Sequence, residues 1–300
     1  MFNLKNYLEN KRKIINAQLF QLIKKFTNNP QDKIVQSMTY SLKAGGKRIR
    51  PILCLATAEA LGDNSLKCLK IACCLEMIHT YSLIHDDLPA LDDDDMRRGK
   101  LSNHKKFGEA TAILAGDGLL TIAFQILTSI ALENIKNNIN LSTKFFEIIK
   151  QIAEASGPNG MIKGQMLDIF SEKKILSLQE LKTLHNLKTG ALVEASVIIG
   201  SIFSDVSTEK FKNLKIYAKN IGLAFQVTDD ILNIEGDEKL MGKATGTDLD
   251  KNTFPNLMGL KKSKIYAKKL IDQAIDSIKN FDKNADPLRY IAEYIINRKK

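Results

Sequence analysis

The chain has no tryptophan, six prolines, four cysteines and four histidines among its 300 residues. Each shortage removes a class of protein. The cysteines, at 54, 68, 73 and 74, lie in apolar stretches and lack CxxC spacing, so a zinc site is not expected. Buried reduced thiols fit them, and with them a cytoplasmic protein. The prolines and seventeen glycines are scattered, with no Ser/Gly/Pro-rich run to serve as a linker, which favours a single domain over residues 1–300. Internal repeats and low-complexity tracts are missing too, and no period-two strand flanked by hairpin turns stands out. The N-terminal MFNLKNYLENKRK has no hydrophobic signal core, and Glu9 with few serines argues against a transit peptide. One apolar run, 110–132, approaches the length of a membrane span. Gly116, Asp117 and Gly118 interrupt it, so a buried core helix is expected rather than a span.

What is present is helix. Hydrophobic residues make up 44% of the chain, and they recur at three and four spacing through 4–26, 34–43, 51–61, 66–88, 110–132, 143–155, 178–203, 209–235, 263–280 and 286–297. Asn64, Ser142 and Ser177 read as helix caps, and Ser177 with Glu180 has capping-box spacing. An all-α antiparallel helical bundle buries so many stripes economically, with an axial apolar cavity suited to a long apolar ligand.

Two stretches break this pattern with acid. HDDLPALDDDDMRRGK, 85–100, packs six aspartates into ten residues and follows them with Arg97 and Arg98. Such a cluster repels itself unless cations sit among the oxygens. Hard oxygen donors without Cys or several His point to Mg²⁺, with Mn²⁺ or Ca²⁺ as relatives. Asp86 and Asp87 fall in the last turn of a helix, where an acid is disfavoured by about 0.3–1 kcal/mol, so local stability did not select them. Pro89 should bend the chain and bring Asp92 back toward Asp86. A charge run is most often only a solvated face. The second stretch, DDILNIEGD at 229–237, weighs against that reading, because it closes another apolar helix with an aspartate pair before Gly236. Two acid-tipped helices facing each other would make a polynuclear metal site able to clamp a polyphosphate.

The net charge of +10 attracts anions: nucleic acid, membrane surface or phosphorylated metabolites. The lysines are spread rather than interleaved with aromatics, so no nucleic-acid partner is expected. GGKRIRP, 45–51, opens a helix with two glycines and a first-turn proline, which lets Lys47 and Arg50 flank exposed amides as an anion cradle. A turn with a solvated basic edge would read the same way. His79 precedes Asp86 by two helical turns and shares its face. Lys188-Thr189-Gly190 interrupts an apolar helix, where glycine marks a kink or close approach. Gln226 lies three residues before Asp229, and Lys243 follows in a polar loop.

These motifs together resemble those of bacterial short-chain trans-isoprenyl diphosphate synthases. HDDLPALDDDDMRRG resembles their first aspartate-rich motif and FQVTDDILNIEGD their second. GGKRIRP, GQMLD at 164–168, KTG at 188–190 and GK at 242–243 match in order and spacing. The likeness runs over essentially the whole chain. It implies a homodimeric, Mg²⁺-dependent prenyltransferase that joins dimethylallyl or geranyl diphosphate to isopentenyl diphosphate. By the same resemblance Asp86 and Asp92 hold two Mg²⁺ and Asp229 a third, with Asp87 and Asp230 in support. Arg97, Lys188, Thr189, Gln226 and Lys243 hold the allylic substrate or its diphosphate. Lys47, Arg50, His79 and Arg98 take the diphosphate of isopentenyl diphosphate.

One position departs from the family pattern: Asn233 stands where the second motif usually ends in aspartate. The amide removes one charge, and Asp229 alone is expected to bind the third metal directly. Product length in the resemblance rests on Tyr81, about 7.5 Å deeper along the helix than Asp86, which would plug the cavity after fifteen carbons. A C20 synthase is the nearest alternative. A terpene cyclase shares the metal motif but has little use for Lys47, Arg50 and Arg98. A non-enzymatic basic helical protein explains the charge but not the two acid-tipped helices.

Overall fold

The computed structural model describes residues 2–171, 174–235 and 252–298. In chain order the helices are α1 Leu4–Phe26, α2 Lys33–Lys43, α3 Ile49–Ala60, α4 Leu69–Asp86, α5 Asn103–Phe107, α6 Glu109–Asn137 and α7 Ser142–Ser156. They continue with α8 Met161–Ser171, α9 Leu178–His185, α10 Ala191–Ser201, α11 Thr208–Glu235, α12 Phe254–Met258, α13 Leu260–Ser277 and α14 Asp286–Asn297. The fold is all-α, as the periodicity requires. The only strands among the described residues are β1 Met96–Arg97 and β2 Lys100–Leu101, an antiparallel hairpin that the sequence reading did not foresee.

The chain gathers into two compact units. One comprises Lys5–Leu55 and Ser65–Lys150. Its centre is α4, which is apolar on every side and buries twelve of its residues, Glu76 included; a helix without a polar face belongs in a core. It packs along α6 and touches α2. By length and composition α6 is apolar enough to cross a membrane. Here ten of its residues, from Ala112 to Ala131, are buried. The expected helix over 66–88 is divided, since Ser65–Cys68 forms a 3₁₀ turn before α4. Asn64 therefore precedes that turn and does not cap α4. Ser142 likewise is the first residue of α7 rather than its cap, after a 3₁₀ turn whose start the Asn138 side chain caps. All four cysteines are buried and unpaired.

The other unit comprises Met1–Leu4, Ala56–Asn64 and Gln151–Lys300. Its spine is α11, packed against α13, α10 and α14. The Tyr217 hydroxyl, fully buried, donates to the Leu288 carbonyl at 2.7 Å and ties α11 to α14. Ser177 and Glu180 form both halves of the anticipated capping box at the start of α9. The stretch read as one helix over 178–203 is broken by a π-helical segment, Asn186–Gly190, between α9 and α10. Helix α8 falls outside every stretch marked by periodicity.

Candidate active site

The first acidic motif turns back on itself. The Leu88 amide bonds the His85 carbonyl at 3.0 Å and tightens the end of α4. The Leu91 amide then bonds the Leu88 carbonyl at 2.9 Å, with Pro89 at the second position, where its fixed φ suits a turn. The Asp92 amide closes on the Asp86 carbonyl at 2.8 Å, which returns Asp92 to the end of α4 as anticipated. Asp93 takes a left-handed φ of 48°, a conformation aspartate tolerates better than most residues.

The acids have different environments. Asp92 is exposed and Asp86 half-buried, while Asp87 is only 2% exposed. The Arg97 guanidinium donates from Nε to Asp87 at 2.8 Å, pairs with the same oxygen through a second nitrogen, and reaches Asp94 at 2.9 Å. Burial pushes the Asp87 carboxyl above its usual range against the pull of Arg97. Burial also works against the charge on Arg97, but the hydrogen bond and charge of Asp87, with Asp94 and Asp92 behind it, more than restore it. Asp87 thus orients Arg97. The backbone bond brings Asp86 and Asp92 together at the helix end, and carboxylate oxygens are the donors Mg²⁺ takes.

The basic loop needs its glycines. Gly45 and Gly46 adopt φ of 95° and 124°, and the Arg98 guanidinium lies against them, donating to the Gly45 carbonyl. A Cβ on Gly46 would meet Arg98 Cζ at 2.7 Å. Of the four basic-cluster residues named from the sequence, His79, Arg50 and Arg98 are electrically adjacent. Burial first, then the charges of Arg50, Arg98, Arg48 and Arg97, hold the His79 imidazole well below its ordinary pKa, so it is neutral at pH 7. Lys47 is half-buried beside Gly46.

Arg48, which drew no role from the sequence, is the post of this loop. It is 2% exposed and donates to Glu76 at 2.7 Å, to Asn16 at 2.9 Å and to the Leu42 carbonyl at 2.5 Å. The available signal was Glu76, an acid deep inside an apolar helix, which must have a partner. Tyr81 is buried at 7% exposure and meets the His85 ring edge-on at 5.7 Å. Burial and then Asp86 raise its hydroxyl pKa to about 12.

In the other unit, the second aspartate pair is engaged by neighbours the sequence did not name. Asp229 accepts from Arg298 at 2.7 Å, and that guanidinium lies 3.9 Å over the Phe225 ring and also bonds the Phe225 carbonyl. A cation at Asp229 must compete with it. Asp230 accepts from the Phe254 amide at 2.9 Å and stands 4.0 Å from His185. His185 in turn approaches Gln226 at 3.5 Å; its pKa is lowered to about 4 by burial. Asn233 is buried, at 6% exposure. Thr189 is buried within the π segment, and Lys188 pairs with Asp168 of the GQMLD stretch. Lys243 and Gly236 lie outside the described residues.

Glycines make that π segment approachable. A Cβ on Gly222 would sit 3.2 Å from the Gly190 Cα, and one on Gly164 only 2.1 Å from the Lys188 backbone nitrogen. Gly164→Ala therefore sets backbone against backbone, and the expected loss is about 1–3 kcal/mol with a displaced Lys188. A lowered Tm with reduced turnover checks this; an unchanged Tm would mean that α8 moves aside freely.

Known proteins resemble the chain over most of its length. The model of the polyprenyl synthetase family matches residues 31–295. The chain is 46% identical over 272 residues to a farnesyl diphosphate synthase of Micrococcus luteus, covering 90% of this chain and 91% of that protein. It is 43% identical over 300 residues to a geranylgeranyl diphosphate synthase of Cyanophora paradoxa, covering 99% and 97%. The crystal structure of an FPP/GFPP synthase from Zymomonas mobilis superposes with a TM-score of 0.85 at 37% identity, over 98% of this chain and 99% of that one. With the match spanning both acidic motifs, the glycine-cradled arginine and the KTG segment, the chain belongs to the polyprenyl synthetase family and is a prenyltransferase.

Proposed function

We propose that the protein condenses dimethylallyl or geranyl diphosphate with isopentenyl diphosphate to give the fifteen-carbon farnesyl diphosphate and free diphosphate. Residues 1–300 act in this reading as one catalytic domain around an apolar cavity, in a cytoplasmic homodimer. The observation that carries it is the Asp92-to-Asp86 backbone bond, which supports a paired oxygen site beside an arginine held by Asp87.

Asp86, Asp92 and Asp229 would hold Mg²⁺, three ions in all, and Asp87 and Asp230 would hold the surrounding chain in register. Bound Mg²⁺ would neutralise the departing diphosphate. Arg97, Lys188, Thr189, Gln226 and Lys243 grip the allylic substrate, and the fixed charges of Arg97 and Lys188 favour the state in which negative charge builds on its leaving oxygen. The C–O bond breaks with its electron pair going to diphosphate. The double bond of isopentenyl diphosphate supplies the electrons of the new C–C bond, and a proton then passes from the neighbouring carbon to the released diphosphate, restoring a double bond. Lys47, Arg50, His79 and Arg98 orient the second diphosphate. His79, kept neutral, adds a hydrogen-bonding group without accepting a proton. Asn233, one charge short of the usual motif, would leave Asp229 alone to bind the third ion directly.

Incubation with labelled isopentenyl diphosphate and each allylic primer in turn, with and without Mg²⁺, tests the reading by product chromatography. C15 product that vanishes with chelator is the expected result; no condensation with any primer would overturn it. The buried Tyr81, one helical turn and more below Asp86, supports C15 over the C20 product named for the Cyanophora relative. Tyr81→Ala is expected to shift output to C20 and longer. Unchanged C15 output from that variant would remove Tyr81 as the floor.

A further inference from the structure

We propose that Asp93, Asp95 and His104 form a second metal site, selective for a borderline first-row ion such as Zn²⁺ and distinct from the oxygen pair of Asp86 and Asp92. Their ligand atoms all lie within 4.8 Å of one another. The two carboxylates are exposed, whereas the His104 side chain is 3% exposed and its Nε2 lies 4.0 Å from Asp93 Oδ1.

The buried histidine sets this cluster apart from a solvated acidic loop. Its Nε2 is buried and has no hydrogen-bond partner, while Nδ1 lies 3.1 Å from the Ser102 hydroxyl. If Nδ1 donates to Ser102, Nε2 presents a lone pair toward a carboxylate. If Nδ1 accepts instead, Nε2 carries a buried N–H with no acceptor in reach. A cation between Nε2 and the carboxylates satisfies the first of these. A neighbour bonded at the other ring nitrogen is what a metal-ligating histidine ordinarily has. Metal–ligand distances of about 2.0–2.2 Å are reached by rotation of the two exposed aspartates. Lys105, which holds Asp95 at 2.7 Å, is displaced in that motion. The imidazole sets the preference: a nitrogen donor favours Zn²⁺ and its neighbours over Mg²⁺.

The site has a structural role. The Ser102 amide bonds the Asp95 carbonyl at 2.9 Å, so the hairpin of Met96–Arg97 and Lys100–Leu101 lies between the aspartates and His104. An ion there clasps the base of the hairpin that carries Arg97 and Arg98.

The test is calorimetric titration of the full chain with Zn²⁺ in saturating Mg²⁺, alongside thermal melting. One Zn²⁺ per chain and a higher Tm are expected. His104→Gln should weaken binding 10-fold or more, and Asp93→Asn/Asp95→Asn should abolish it, while Asp86→Ala/Asp92→Ala should retain it. Should His104→Gln fold poorly, the exposed aspartate pair decides alone. The proposal is overturned if no Zn²⁺ binds in the presence of Mg²⁺, if binding survives Asp93→Asn/Asp95→Asn, or if it disappears only with Asp86 and Asp92. The last outcome would assign the ion to the polyphosphate site, and the first two leave that site's role untouched.

Discussion

Asp86→Ala should lower turnover by about 10²–10³-fold or more, because it would loosen the Mg²⁺ that neutralises the departing diphosphate, and losing one group that stabilises developing charge costs about that much, while leaving the protein as stable as before or slightly more so. The stability half has its own cause. Asp86 ends α4, where the helix dipole is negative, and removing an acid there relieves about 0.3–1 kcal/mol. The backbone bond from Asp92 to the Asp86 carbonyl does not need the side chain, so the turn survives. Steady-state rates at saturating Mg²⁺ and a melting curve on the same preparation check both. A variant with near-native turnover would take Asp86 out of the site, and one that merely unfolds would make it structural.

Glu76→Ala should do the reverse and act through stability. It strips the carboxylate from Arg48, whose side chain is 1% exposed in the pair. Breaking a buried pair from one side costs about 3–5 kcal/mol, because the remaining charge stays desolvated. That is a large share of the roughly 5–15 kcal/mol that holds a domain together. Arg48 also sits at a left-handed φ of 55° and anchors the loop of Gly45 and Gly46, so residual folded protein should bind isopentenyl diphosphate poorly. Denaturant unfolding gives the first effect and KM the second. Glu76→Gln, which keeps an acceptor, should fall between the variant and the native chain. A midpoint unmoved by Glu76→Ala would mean that Asn16 and the Leu42 carbonyl suffice for Arg48.

The helices were legible because burial in them follows spacing. In α1 the buried Ile15, Leu19, Leu22 and Ile23 occupy one stripe, and the bounds 4–26 read from periodicity are those of the helix. The π segment was not legible: one extra residue per turn over Asn186–Gly190 leaves the apolar pattern on both sides intact, and only Gly190 marked the place. Helix α8 escaped because Gly164 sits in its middle and its apolar residues do not fall on one buried face: Met161 is buried, whereas Ile162, Met166 and Phe170 are exposed. The hairpin escaped because two residues per strand are too few to alternate.

At the site, residues with distinctive chemistry were legible and their supports were not. Aspartate pairs after apolar helices announce themselves. Arg48 could not be told from Lys47 and Arg50 by sequence, since only depth separates them. Arg298 sits in a basic run that reads as solvated, and its partner Asp229 is 69 residues away. Asp168 was visible within GQMLD, yet nothing local linked it to Lys188.

The hairpin turn holds a conflict with a longer consequence. Arg98 and Gly99 both take positive φ, 55° and 73°, the two-residue type I′ geometry that favours asparagine and glycine. An arginine there is held against a backbone preference of about 1–2 kcal/mol by its grip on the Gly45 carbonyl. Breeding this enzyme for heat tolerance alone would drift position 98 toward asparagine or glycine. The sturdier descendants would be those that had let go of a guanidinium.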